Sequence, residues 1–107
     1  MRKAMISQPM AGKTNKQILE QRDKAIEVLN GMGYEVVDSY FDGEWSKSEN
    51  MEKRGVVNVP LCFLAKSLEK MSECDAVYFC EGWENTRGCE IEHSAALAYG
   101  LKIMYEK

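Results

Sequence analysis

At 107 residues, 45% hydrophobic and 29% charged, the chain has the size and composition of one globular domain spanning 1–107. A formal net charge of −3 argues against a nucleic-acid polymer as partner, and no apolar run suits a membrane span or a signal peptide. Four cysteines without a Cys-x-x-Cys pair, beside a single histidine, complete no zinc pattern, so reduced core thiols in a cytoplasmic protein are expected.

Residues 2–6 read as a short strand running into the loop Ser7-Gln8-Pro9-Met10-Ala11-Gly12-Lys13. Thr14, followed three residues later by Gln17, is a capping box and opens a helix. Ile18, Ala25, Val28 and Leu29, with Leu19 and Ile26 alongside, give that helix a broad apolar face, and Gly31 and Gly33 stop it. Residues 34–37 form a second strand ending at Asp38-Ser39. Between 40 and 57 the periodicity is lost, which fits a lid or binding loop, or a surface loop holding a short helix. Pro60 suits a first helical turn, and Leu61, Leu64, Ala65, Leu68 and Met71 continue it as an apolar stripe. Residues 76–80 are almost continuously apolar, as a central parallel strand requires. A loop over 81–88 leads to a helix from about Cys89 to Tyr99, closed by Gly100, and 101–105 make a last strand.

Strands alternating with helices predict an α/β fold with a parallel sheet covered on both faces. The economical strand order is 2-1-3-4, in which the chain reverses direction between strands one and three. Ligands bind at such a switch point, and the loops over 7–13 and 81–88 both open onto it.

Within those loops, Ser7 to Thr14 resembles a phosphate-binding loop but has Ser7 in place of the first glycine. Pro9 also lacks the N–H that would cradle phosphate. A looser anion or sugar site at a helix N-terminus fits better. Glu90 and Glu92, two residues apart, point about 200° apart on a helix, so one faces the crevice and the other solvent. Helix geometry alone does not choose between them; Ile91, Ala95 and Ala98 read as the buried stripe. The helix dipole favours an ionised carboxylate, suited to a nucleophile or an electrostatic stabiliser, or simply to holding the helix end. His93 has no Ser-Asp arrangement near it and reads as a structural residue ahead of a catalyst. Arg87 beside Gly88 offers a planar fork for phosphate or carboxylate, or pairs with Glu84 or Glu90. Trp83 and Trp45 either stack on a flat base or plug the core.

Ser7-Gln8-Pro9-Met10-x-Gly12, Gly33-Tyr34-x-Val36-x-Asp38-Ser39, Asp75-Ala76-Val77-Tyr78-Phe79, Gly82-Trp83, Arg87-Gly88-Cys89 and Glu92-His93 together resemble a group of small phage and bacterial proteins. That group is related to the nucleoside 2-deoxyribosyltransferases and the deoxynucleoside monophosphate N-glycosidases. The resemblance implies a flavodoxin-like fold. In those enzymes a glycine four residues before and another eight residues after bracket the catalytic glutamate, as Gly88 and Gly100 bracket Glu92 here. It therefore implies Glu92 as nucleophile, and Ser7, Gln8, Gly12, Asp38, Trp83, Thr86, Arg87 and Gly88 around the substrate.

Six residues before the glutamate, transferases of this family carry aspartate and the monophosphate glycosidases serine; Thr86 here leans toward a 5′-phosphorylated ligand. Asn58 stands where an aspartate is expected before the third helix. The expectation is thus a nucleoside or nucleotide whose N-glycosidic bond is cleaved or exchanged, with no metal or organic cofactor, in a homodimer or larger homo-oligomer. A non-catalytic nucleotide-binding module is the alternative.

Overall fold

The computed structural model describes residues 2–37 and 47–107. Four strands, β1 (Arg2–Ser7), β2 (Tyr34–Val37), β3 (Ala76–Phe79) and β4 (Lys102–Tyr105), form one all-parallel sheet in the order β2-β1-β3-β4. The helices are α1 (Asn15–Gly31), α2 (Ser48–Lys53), α3 (Val59–Met71) and α4 (Arg87–Ala98). The result is a three-layer α/β sandwich of the flavodoxin-like kind, with the strand order that the sequence predicts. Asp38, Ser39 and Trp45 lie outside the described residues.

Alternation along β1 separates the two faces of the sheet. Ala4 and Ile6 join Ala25 and Leu29 of α1, with Tyr34, Ala76 and Tyr78, in one core cluster. Met5 joins Val77, Phe79, Met71 of α3 and Ala96 of α4 in the other. The sheet register places Ala4 against Ala76 and Ser7 against Phe79, so β1 and β3 end side by side.

The capping box is present: Gln17 N–H donates to Thr14 Oγ1 (3.2 Å), and Thr14 N–H donates to Gln17 Oε1 (3.0 Å). Along α1 the buried residues are Ile18, Arg22, Ala25 and Leu29, whereas Val28 and Leu19 are exposed. The buried stripe therefore takes in Arg22, which polarity alone assigns to solvent. Residues 48–53 hold the short helix α2, whose Met51 is buried.

Asn58 has a structural role in this chain. Its Oδ1 accepts from the Leu61 N–H (3.0 Å) and caps α3, with Pro60 in the first turn. The sequence-read stripe of α3 is largely open: only Met71 is buried, and Leu61 is 58% exposed. Asn58→Ala should lower stability by about 1 kcal/mol. Asn58→Asp keeps the acceptor and should unfold at the wild-type midpoint; urea titration followed by circular dichroism compares the two.

Candidate functional site

A cleft of about 560 Å³ opens at the carboxyl ends of β1 and β3. One wall comes from Asn85, Thr86, Arg87 and Gly88, and the facing wall from Pro60, Phe63, Leu64 and Ser67 of α3. Met10 and Ala11, from the loop after β1, close a third side, and Gln8, Cys89 and Glu92 also line it.

The polar wall exists because of how α4 begins. A single 3-10 turn at Trp83–Asn85 precedes it, and the helix starts at Arg87, two residues earlier than the sequence pattern suggests. Thr86 is the extended N-cap residue (φ −124°, ψ 133°), yet its side chain makes no capping bond. Its Oγ1 donates instead to the Trp83 carbonyl at 3.3 Å. The first N–H groups of a helix have no intrahelical acceptor, so this uncapped end offers donors and a positive dipole to an anion. Thr86, Arg87 and Gly88 are thus brought together at one helix end on the cleft.

Further along α4 the buried residues are Cys89, Glu92 and Ala96, while Glu90 is exposed. This corrects the expected stripe of Ile91, Ala95 and Ala98: Ile91 and Ala98 are exposed and Ala95 is half-buried. The stripe is rotated by about one residue and carries Glu92 inward. Burial pushes the Glu92 carboxyl up to about 7, with the Ser7 hydroxyl working in the opposite direction. The expectation that the dipole would favour the ionised form does not hold. Glu92 is the sixth residue of α4, and the dipole's influence fades beyond the first turn, so desolvation wins. Ser7 is 1% exposed, and its Oγ has no partner within hydrogen-bonding geometry, so it moderates the carboxyl without offsetting its burial.

A network that the sequence does not signal ties the loops after β1 and β3 to α1 and to Glu106 beyond β4. Gln8 Nε2 donates to the Ile18 carbonyl (2.6 Å) and to Gln21 Oε1 (3.2 Å). Lys13 Nζ donates to the same Gln21 oxygen at 3.1 Å. Gln21 Nε2 in turn donates to the Glu81 carbonyl (3.3 Å) and to Glu106 Oε1 (3.0 Å), which also accepts from Glu81 N–H (2.8 Å). Ile18 O and Lys13 Nζ each permit one role only, so both amide orientations are forced. Gln8 Oε1 is left buried and without a partner.

Other sequence-read residues fall elsewhere. Gly12 adopts a left-handed φ of +77° in the turn before α1 and does not line the cleft. Trp83 stacks on His93 (centroids 4.2 Å apart, 20° between planes) and packs against the core instead of lining the cleft. His93 Nε2 pairs with Tyr105 Oη at 2.7 Å. Glu84 is exposed, and Asp38 is outside the described residues. All four cysteines are free thiols, and burial pushes Cys74 up to about 11 and Cys80 up to about 12. Among the described residues, no three His, Cys, Asp or Glu side chains are grouped to hold a metal ion. No described helix is long and apolar enough to cross a membrane.

Glu92 links the site to stability. The folded protein holds the Glu92 proton more tightly than the unfolded chain, whose carboxyl titrates near 4.5. Its stabilising contribution is therefore complete below that pH and is lost as pH rises through about 7. Glu92→Gln, neutral throughout, should be increasingly stabilised over wild type between about pH 5 and pH 8, approaching the order of 3 kcal/mol. Thermal melts across that range check the sign.

A family described as a domain of unknown function, DUF4406, matches residues 2–105. No curated protein matches the chain. Since that match takes in both loops of the cleft and every strand and helix, the chain belongs to the DUF4406 family.

Proposed function

We propose that the cleft binds a nucleoside or nucleoside 5′-monophosphate and that Glu92 attacks its anomeric carbon. The observation that carries this reading is a buried carboxyl and an uncapped helix N-terminus lining the same cleft. The motif around Gly88, Glu92 and Gly100 supplies the reaction type. As the carboxylate forms its C–O bond, the N-glycosidic bond breaks and its electron pair leaves with the base, which takes up a proton. Water, or a nitrogen of a second base, then displaces Glu92 from the sugar, losing a proton and freeing the carboxylate. Thr86, Arg87 and the first N–H groups of α4 receive the 5′-phosphate. Ser7, beside the carboxyl, favours its ionised form, and Gln8 helps set the course of the loop after β1.

The ionised form of Glu92 is the reactive one, so the rate should rise with pH and level off above about 7. A panel of nucleosides and deoxynucleoside 5′-monophosphates, analysed by chromatography for released base, tests the activity. Base should leave a monophosphate faster than the matching nucleoside, and Glu92→Gln should lower that rate by about 10³-fold or more while nucleotide still binds. Retention of activity in this variant would exclude Glu92 as nucleophile.

A second reading, a module that binds a nucleotide without turning it over, has one observation in its favour. Among the described residues lining the cleft, Glu92 is the sole carboxyl, so no second one stands ready to protonate a leaving base. On that reading no base is released, yet a nucleotide raises the melting temperature.

The protein is further proposed to assemble as a homodimer or larger oligomer. Apolar side chains left open on α3 and α4, among them Leu61, Ile91 and Leu97, support this. Light scattering should return at least twice the chain mass of 12.2 kDa. Leu61→Glu should shift the population toward the single chain.

A further inference from the structure

The two long walls of the cleft differ in chemistry. The α4 wall offers N–H donors, a hydroxyl and a guanidinium, whereas the α3 wall is mainly apolar, with Pro60, Phe63 and Leu64 beside the single hydroxyl of Ser67. These three apolar side chains recur at helical spacing, so they form one face of α3, and Met10 of the loop after β1 adds apolar surface on the adjoining side. A ligand that satisfies both walls carries an anion at one end and a flat apolar ring at the other.

Trp83 is poorly placed to receive that ring. It does not line the cleft: its indole packs against His93, Phe79 (5.4 Å between centroids) and Tyr105 (5.9 Å), and against the core cluster under α3 and α4. Phe63 is the single aromatic side chain lining the cleft among the described residues, and it is half-buried.

We propose that Phe63 is the binding residue against which the ligand's ring packs, so that α3, and not Trp83, supplies the aromatic side of the site. This rests on the nucleotide reading above. A phenyl face contacts the face of a base and makes no hydrogen bond to its edge, so all four bases gain from it to similar degrees.

Isothermal titration in a Glu92→Gln background tests the assignment without turnover. The probes are the four deoxynucleoside 5′-monophosphates and 2-deoxyribose 5-phosphate, which lacks the ring. Phe63→Leu keeps an apolar side chain on α3 and should weaken every nucleotide by about tenfold. It should leave the sugar phosphate unchanged, and Phe63→Tyr should restore nucleotide affinity to within about twofold. Equal weakening of sugar phosphate and nucleotides by Phe63→Leu would overturn the proposal, since the change would then act through the fold. Unchanged nucleotide affinity in Phe63→Leu, with a loss in Trp83→Leu, would return the role to Trp83. If the parent protein binds none of the five probes, the nucleotide reading itself fails and the Phe63 assignment falls with it.

Discussion

Parallel strands joined through helices cross over with one hand, and here that constraint decides where a site can form. With β1 inside the sheet and β2 and β3 on either side of it, the step from β1 to β2 runs one way and the step from β2 to β3 the other. α1 accordingly covers one face, while α3 and α4 cover the opposite face. The loops leaving β1 and β3 part company above the sheet, and α3 and α4 stand side by side below the gap. No single residue creates the cleft; connectivity does, and the side chains then give it chemistry.

That chemistry centres on a carboxyl in an unfavourable place. Taking an ionised group out of water costs free energy unless it is paired, and the described residues give Glu92 no cation as a counterweight. The neighbouring thiol of Cys89 is also pushed up by burial, so the surroundings resist charge. A carboxyl kept near the midpoint of its titration at neutral pH exchanges its proton readily, and substrate that brings positive character to it would favour its ionised form. Stability given up at one such position is a common accompaniment of function.

Local features were legible in the sequence and long-range ones were not. The Thr14–Gln17 capping box, the continuous apolar run of β3 and the glycine closing α4 depend on neighbours in the chain, and each reads directly. The strand order follows from counting crossovers. On α1 and α4 the buried face takes in a charged residue, Arg22 and Glu92, that an apolar pattern does not count, whereas on α3 the apolar stripe is real but largely left open. The choice of Glu92 over Glu90 came from glycine spacing in a resemblance, and its burial now stands beside that choice as an independent physical fact. The start of α4 was missed because Arg87-Gly88 reads as loop. Gln21 gave no signal at all, since two of its partners lie 60 and 85 residues away.

Gln21 also shows how little chemistry separates a rigid site from a loose one. Its amide is a directional junction: cationic and amide donors enter on the oxygen side, and a carbonyl and the Glu106 carboxylate lie on the nitrogen side. Exchanging that one NH₂ for an oxygen, as glutamine hydrolysis does, would set a second carboxylate against Glu106 and against the Glu81 carbonyl. Side-chain volume and shape would hardly change, yet attraction between the two loops would become repulsion. The spacing of the site is therefore written in the polarity of an atom on α1 that lies outside the cleft.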